Sequence, residues 1–317
     1  MAQAVAELYP EAEVVTLPLA DGGEGTLDTL AANLAIIIET TPVHDPLGRL
    51  IDAGWGLWGQ AAIIEVAQAC GLQLLQPQER NPLIASSRGV GELIMAAYEK
   101  GCRHFIVGLG GTATCDGGMG ILSVPGIKEV LADCSMELLC DVNAPFVGPC
   151  GAARVFAPQK GATPEEVEIL EGRMVAWAKK IFHETGFSVA EMPGAGAAGG
   201  IAGALMAYAH STLINGAQKV MDLCGFNKAV QGANLVITGE GKSDAQTLMG
   251  KVPVAVLHRS HGIPTALVSG RIEDRSDLEQ AGFGPILEVS PKVLPIAQAI
   301  HPQTALCNLR LAMLQLR

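Results

Sequence analysis

Glycine gathers in four short segments, and this constrains the fold more than any other feature of the sequence. The segments are residues 19–25 (LADGGEG), 108–120 (GLGGTATCDGGMG), 194–200 (GAGAAGG) and 238–251 (TGEGKSDAQTLMGK). There are 38 glycines in 317 residues, against roughly 7% in an average chain. They follow no Gly-X-Y period, which excludes a collagen-like helix. A strand, a glycine loop and a helix, repeated, is α/β organisation with a largely parallel sheet. Hydrophobic residues at 49% and charged residues at 17% exclude a disordered chain. The length sets a prior of two domains.

The runs between the glycines support this reading. Residues 13–19 (EVVTLPL) predict a strand, followed by a turn and a helix over 26–35. Residues 61–66 (AAIIEV) predict a buried strand or a helix start. Apolar spacing predicts a helix over 89–100, capped at Gly101, and the β-branched run 104–109 fits a buried parallel strand. The clearest helix opens at Thr163, with Pro164 in its first turn and Glu166 at capping-box spacing. Val167, Leu170, Met174, Trp177 and Ile181 follow at helical spacing, and Gly186 stops it. Residues 235–237 and 265–268 predict strands ending at Gly239 and Gly270, and residues 249–260 and 295–301 predict helical crossovers. No repeat or low-complexity linker marks a domain boundary.

Charge and cysteine narrow the partners. The net charge of -11 disfavours nucleic acid, and aromatic residues at 4% leave few stacking platforms. The eight cysteines form no CxxC pair or zinc spacing, and read as reduced thiols of a cytoplasmic protein. No apolar stretch reaches the roughly 20 residues of a membrane span. Residues 1–7 read as the middle of a helix, so further residues are expected upstream of them.

Glycine lets backbone N–H groups approach a ligand, and a loop between strand and helix can cradle phosphate. A carboxylate or lysine beside such loops suits phosphoryl transfer with Mg²⁺. A single loop of this kind is as readily a structural turn; four together favour function. Residues 194–199 match GxGxxG, but Pro193 precedes them where a dinucleotide site needs a strand. The Gly241-Lys242-Ser243 run lacks the first glycine of a P-loop, because position 236 is Val. No protein-kinase, GxSxG or HExxH signature is present.

Six segments in order resemble the bacterial glycerate kinase family, which phosphorylates glycerate with ATP. They are LPLADGGEG (17–25), RNPLIASSRGVGEL (80–93), GGTATCDGG (110–118), CDVNAP with GPCGAARVFAPQKG (140–145 and 148–161), the 194–200 loop and the 238–251 segment. The chain departs from the family at its start, where an opening strand and an Asp-Ser-Phe-Lys loop are absent. It is also shorter between Leu122 and Ile127. Both departures lead us to expect native residues outside this sequence. Cys115 stands where the family has Asn.

The resemblance implies two α/β domains with a substrate cleft between them. One is Rossmann/flavodoxin-like and discontinuous (residues 1–45 and 226–317); the other is inserted (46–225). It implies ATP as co-substrate, Mg²⁺, D-glycerate as substrate, no nucleic acid or membrane partner, and leaves a homodimer open. The resemblance implies 2-phosphoglycerate as the product, with 3-phosphoglycerate as the alternative.

Phosphoryl transfer needs a base, a phosphate clamp, metal ligands and a carboxylate anchor. Asp116, Asp141 and Lys160 are the catalytic candidates. Ser87, Arg88 and Asn143 are expected to bind substrate, a guanidinium at a helix start being suited to a carboxylate. Gly110, Gly111, Thr112, Gly196, Gly199, Gly239, Gly241 and Lys251 are expected around the nucleotide phosphates. Asp21, Glu24, Glu240 and Asp244 are the metal candidates. Two other classes stay open: a nicotinamide-dependent dehydrogenase using residues 194–199, and a non-catalytic small-molecule binding protein.

Overall fold

The apolar runs that form β3 (Ala61–Glu65) and β4 (His104–Gly108) are buried almost throughout, as central parallel strands covered on both faces are. The computed structural model describes residues 1–290 and 294–316. The chain divides into two compact units, one of Ala20–Val220 and one of Met1–Leu19 with Met221–Arg317.

The Ala20–Val220 unit is built on a six-stranded sheet in sequence order: β1 (Ile37–His44), β2 (Leu50–Trp58), β3 (Ala61–Glu65), β4 (His104–Gly108), β5 (Ser135–Leu139) and β6 (His210–Ile214). The first three pair antiparallel, and β3 to β6 run parallel. Residues 20–45, assigned from the sequence to the discontinuous domain, belong here, because β1 pairs along its whole length with β2. Helix Arg88–Glu99 carries the chain from β3 to β4, and its buried Val90, Leu93 and Ile94 meet Ile64, Phe105 and Val107 of the strands. Each such side chain contributes about 1.5–3 kcal/mol on burial. Helix Pro164–Thr185 has the expected capping box between Thr163 and Glu166, and ends at Gly186 in the left-handed region. It lays Met174, Trp177 and Ile181 on Phe146 and Val189.

The other unit holds a parallel sheet of β7 (Val236–Ser243), β8 (Thr265–Ile272) and β9 (Ile286–Glu288). Helices Ala2–Leu8 and Pro302–Met313 cover one face, with Ala4, Ala312 and Met313 packed on Ala266, Val268 and Leu287. Two expectations are corrected here. Residues 13–19 form no strand, and Val15 is 61% exposed. The strand expected to end at Gly239 runs on to Ser243. A Cβ on Gly239 would lie 1.8 Å from the Val268 carbonyl oxygen, so glycine there permits the close approach of β7 to β8.

Candidate active site

The parallel strands β3 to β6 end along one edge, and chemistry-bearing loops leave from that edge. In open α/β sheets the carboxyl ends of the strands are where ligands bind. The loop of residues 21–25 lies over these ends. The Gly110 N–H donates to the Gly22 carbonyl oxygen at 3.3 Å, and a Cβ on Gly216 would meet the Asp21 carbonyl oxygen. Asp21, Asp141 and Glu65 are thereby drawn to the same edge.

Asp141, just past β5, accepts a 3.0 Å hydrogen bond from the Gly216 N–H. Burial pushes its carboxyl up to about 6, and the negative charge of Asp21 pushes the same way against that N–H. Exposed carboxylates at this edge, Asp21 and Glu24, are a donor set that suits a hard divalent cation. Mg²⁺ typically takes only one or two protein carboxylates beside substrate phosphates. The described residues contain no group of three or more metal-binding side chains that would form a complete cage by themselves. Asp21 and Glu24 are both exposed on their loop. Asn143 is exposed two residues beyond Asp141.

Asp116 is committed to its own surroundings. Its Oδ2 accepts from the Ser87 N–H and hydroxyl, both at 2.8 Å, and from the Gly120 N–H at 3.1 Å. Its Oδ1 accepts from the Gly118 N–H at 3.0 Å. Ser87 is fully buried and also accepts from the Ile121 N–H. Asp116 and Ser87 therefore tie the turn after β4 to the start of helix Arg88–Glu99. The Arg88 side chain is 48% exposed and pairs with Glu92 at 2.8 Å, one helical turn on. Glu92 also accepts from His44, so the guanidinium already has a carboxylate partner.

Lys160 is buried. Its Nζ donates to the Thr112 hydroxyl at 2.9 Å and to the Thr114 carbonyl oxygen at 2.6 Å, pinning the loop after β4 from below. Burial pulls its ammonium below the usual lysine range, against the nearby Cys115, Cys70 and Asp116. Burial likewise pushes the Cys115 thiol up, and it behaves as a core group. Gly111 supplies a carbonyl to the Leu72 N–H within the same loop.

The segment of residues 194–200 is not a dinucleotide cradle. No strand precedes it, and its glycines lie against backbone. A Cβ on Gly196 would fall 2.2 Å from the Pro145 carbonyl oxygen, and one on Gly199 2.1 Å from that of Thr114. Gly199 also has φ +66, so both its dihedral and its neighbours require glycine.

In the other unit, the Glu240 carboxylate accepts from the Ser243 and Thr247 hydroxyls at 2.9 and 2.5 Å and lies 3.9 Å from the Lys251 Nζ. Asp244 caps the 3₁₀ turn Ala245–Met249 and pairs with Lys242, which also pairs with Glu273. Gly241 has open space where a side chain would be. Glu240, Asp244, Gly239, Gly241 and Lys251 thus share the carboxyl end of β7.

Glu65 escaped the sequence reading. It ends β3, is 2% exposed, and accepts the Leu27 N–H at 2.5 Å, with the Gly25 N–H and the Gln68 amide as further donors. Burial pushes its carboxyl up despite these bonds. The signal was an acid inside an apolar run, which a buried strand tolerates only with partners.

A cavity of about 470 Å³ in the Ala20–Val220 unit lies at the opposite edge of its sheet, among Trp58, Gln60, Arg103, His104 and Ser135. A smaller one of about 60 Å³ adjoins Asp116, Leu83, Cys115 and Met174. Since the chemistry-bearing loops leave the carboxyl ends of β3 to β6, the loop edge is the better candidate.

The glycerate kinase family model matches residues 1–129 and 122–315. The chain belongs to the glycerate kinase family. The glycerate 2-kinase of Escherichia coli K12 is 34% identical over 328 residues, spanning 93% of this chain and 86% of the relative. The glycerate kinase of Bacillus subtilis 168 is 36% identical with the same coverage. A crystal structure assigned to glycerate kinase 2 of Salmonella typhimurium LT2 superposes with a TM-score of 0.82 at 34% identity, covering 99% of this chain and 91% of that one. These family likenesses disfavour the dehydrogenase reading. No helix among the described residues is long and apolar enough to cross a membrane.

Proposed function

We propose that the chain transfers the γ-phosphoryl group of ATP to the 2-hydroxyl of D-glycerate, in the cytoplasm, giving 2-phosphoglycerate and ADP. Family membership carries the reaction class, and the name of the Escherichia coli relative favours the 2-hydroxyl over the 3-hydroxyl. The glycerate oxygen bonds to the γ-phosphorus as the bond to the ADP oxygen breaks, and the hydroxyl proton passes to a base. Asp141 suits that role, because a carboxyl held near 6 is basic enough to accept a proton and is ionised at neutral pH. Asp21 and Glu24, both exposed on the loop over the strand ends, suit Mg²⁺ in this reading; in the other unit Glu240 and Asp244 are engaged by Ser243, Thr247 and Lys242. Bound Mg²⁺ neutralises charge on the phosphate oxygens.

Asp116 and Lys160 act as positioning residues in this reading. Each has its polar atoms engaged within the protein, and between them they hold the loop after β4 in shape. The test is glycerate-dependent ADP release by the purified protein with ATP and Mg²⁺, in a coupled assay. ADP release that is the same with and without D-glycerate refutes the proposal.

A further inference from the structure

A glycine-rich loop followed by a helix reads as a phosphate cradle, because N–H groups and the helix dipole converge on one point. At residues 21–25 that point is already filled from within. Helix Thr26–Asn33 has Gly25 at its N-terminal boundary and no cap from its own side chains. The buried Glu65 reaches across from the end of β3 and takes the Leu27 and Gly25 N–H groups instead. Gln68, a turn further along the chain, donates to its second oxygen at 3.4 Å. A phosphate at the same helix end would meet a buried carboxylate and find its donors spent.

We propose that Glu65 is a positioning residue that converts this loop from a phosphate cradle into a holder of cation ligands. Its carboxylate fixes the start of helix Thr26–Asn33 and so fixes the loop that carries Asp21 and Glu24 for the divalent cation of the nucleotide. The proposal rests on the kinase reading for the cation, while the hold on the loop rests on the hydrogen bonds alone. Three features of the structure support it. The acceptor is 2% exposed, so water does not substitute for it. Asp21 Oδ1 accepts from the Gly23 N–H at 3.1 Å, so the loop's own conformation sets where that carboxylate sits. Only three residues separate Asp21 from Gly25 at the helix boundary, so a displacement there is felt at Asp21.

Glu65→Gln keeps the shape and removes the charge and one acceptor. The Mg²⁺ concentration for half-maximal activity is expected to rise about tenfold, which is about 1.4 kcal/mol. The KM for D-glycerate and the rate at saturating Mg²⁺ are expected to stay within twofold of wild type. General loss of folded protein would lower the rate and leave the Mg²⁺ requirement alone. Independently of activity, hydrogen–deuterium exchange in peptides covering residues 20–33 is expected to quicken at least fivefold. An unchanged Mg²⁺ requirement or unchanged exchange overturns the proposal. If the glutamine variant does not fold, Glu65→Asp carries the test, since its shorter side chain withdraws from Leu27; a three- to tenfold rise is expected and none overturns it. Wild-type protein that releases no glycerate-dependent ADP refutes the kinase reading, and the exchange measurement still decides whether Glu65 holds the loop.

Discussion

Replacing Asp116 by Ala separates a carboxylate that organises a loop from one that merely decorates it. Four donors lose their acceptor together: the Ser87 N–H and hydroxyl, and the N–H groups of Gly118 and Gly120. A buried donor left without a partner costs about 1–3 kcal/mol. Water entering the adjoining cavity of about 60 Å³ recovers part of this for the two glycines. Ser87 is fully buried and recovers less. The net expectation is a loss of about 3–5 kcal/mol, and about 1–3 kcal/mol for Asp116→Asn, which keeps one acceptor oxygen. Tryptophan fluorescence during urea unfolding is a suitable assay, because Trp55, Trp58 and Trp177 all lie in the Ala20–Val220 unit. The Trp177 Nε1 donates to the Gly117 carbonyl oxygen, inside the turn being disrupted. With a slope of about 3 kcal/mol per molar for a unit of this size, the alanine midpoint falls by about 1 M or more. A shift below about 0.3 M with an unchanged slope refutes the reasoning.

Asp141→Asn is expected to lower kcat/KM by at least about a hundredfold through loss of the base. In the wild type the base works ionised, so kcat/KM falls as pH drops through about 6, and a pH–rate profile flat from pH 7 to 5 contradicts this. Gly199→Ala places a methyl 2.1 Å from the Thr114 carbonyl oxygen at a positive φ, and a loss of about 3 kcal/mol or more is expected in the same urea assay. Burial pushes the Asp45 carboxyl up, but the Arg49 and Leu47 N–H groups and the Arg49 guanidinium outweigh it and hold it below the usual range. A lowered folded-state value stabilises above the unfolded one and is lost as pH falls through the folded one. Asp45→Asn should therefore flatten part of the stability loss below pH 4, measured by thermal melts across pH.

Local signals were legible where a few neighbours decide the outcome. The Thr163–Glu166 capping box and the Gly186 stop bracket a helix whose buried residues were read from spacing alone. The runs at 61–66 and 104–109 became β3 and β4 because apolar character on both faces suits a parallel sheet. What failed depends on partners distant in sequence. Residues 13–19 have strand composition but form no strand. The glycines at 239 and 241 look like a loop, whereas both lie within β7, and at Gly239 the close Val268 carbonyl leaves no room for a side chain. For the candidate site, the motifs point to Asp116, Asp141 and Lys160. They could not tell that Asp116 and Lys160 have their polar atoms engaged inside the fold while Asp141 keeps an under-compensated carboxyl. Glu65 carries no motif, and only the tertiary hydrogen bonds to Leu27 and Gly25 reveal it.

The central claim is phosphoryl transfer to glycerate at the carboxyl ends of the parallel strands. Phosphorus NMR of a reaction containing the protein, ATP, Mg²⁺ and D-glycerate tests it most directly. The account predicts a new phosphomonoester resonance matching authentic 2-phosphoglycerate, appearing in step with ADP and absent with Asp141→Asn. A spectrum showing ATP unchanged, or ADP with inorganic phosphate and no phosphomonoester, would contradict it.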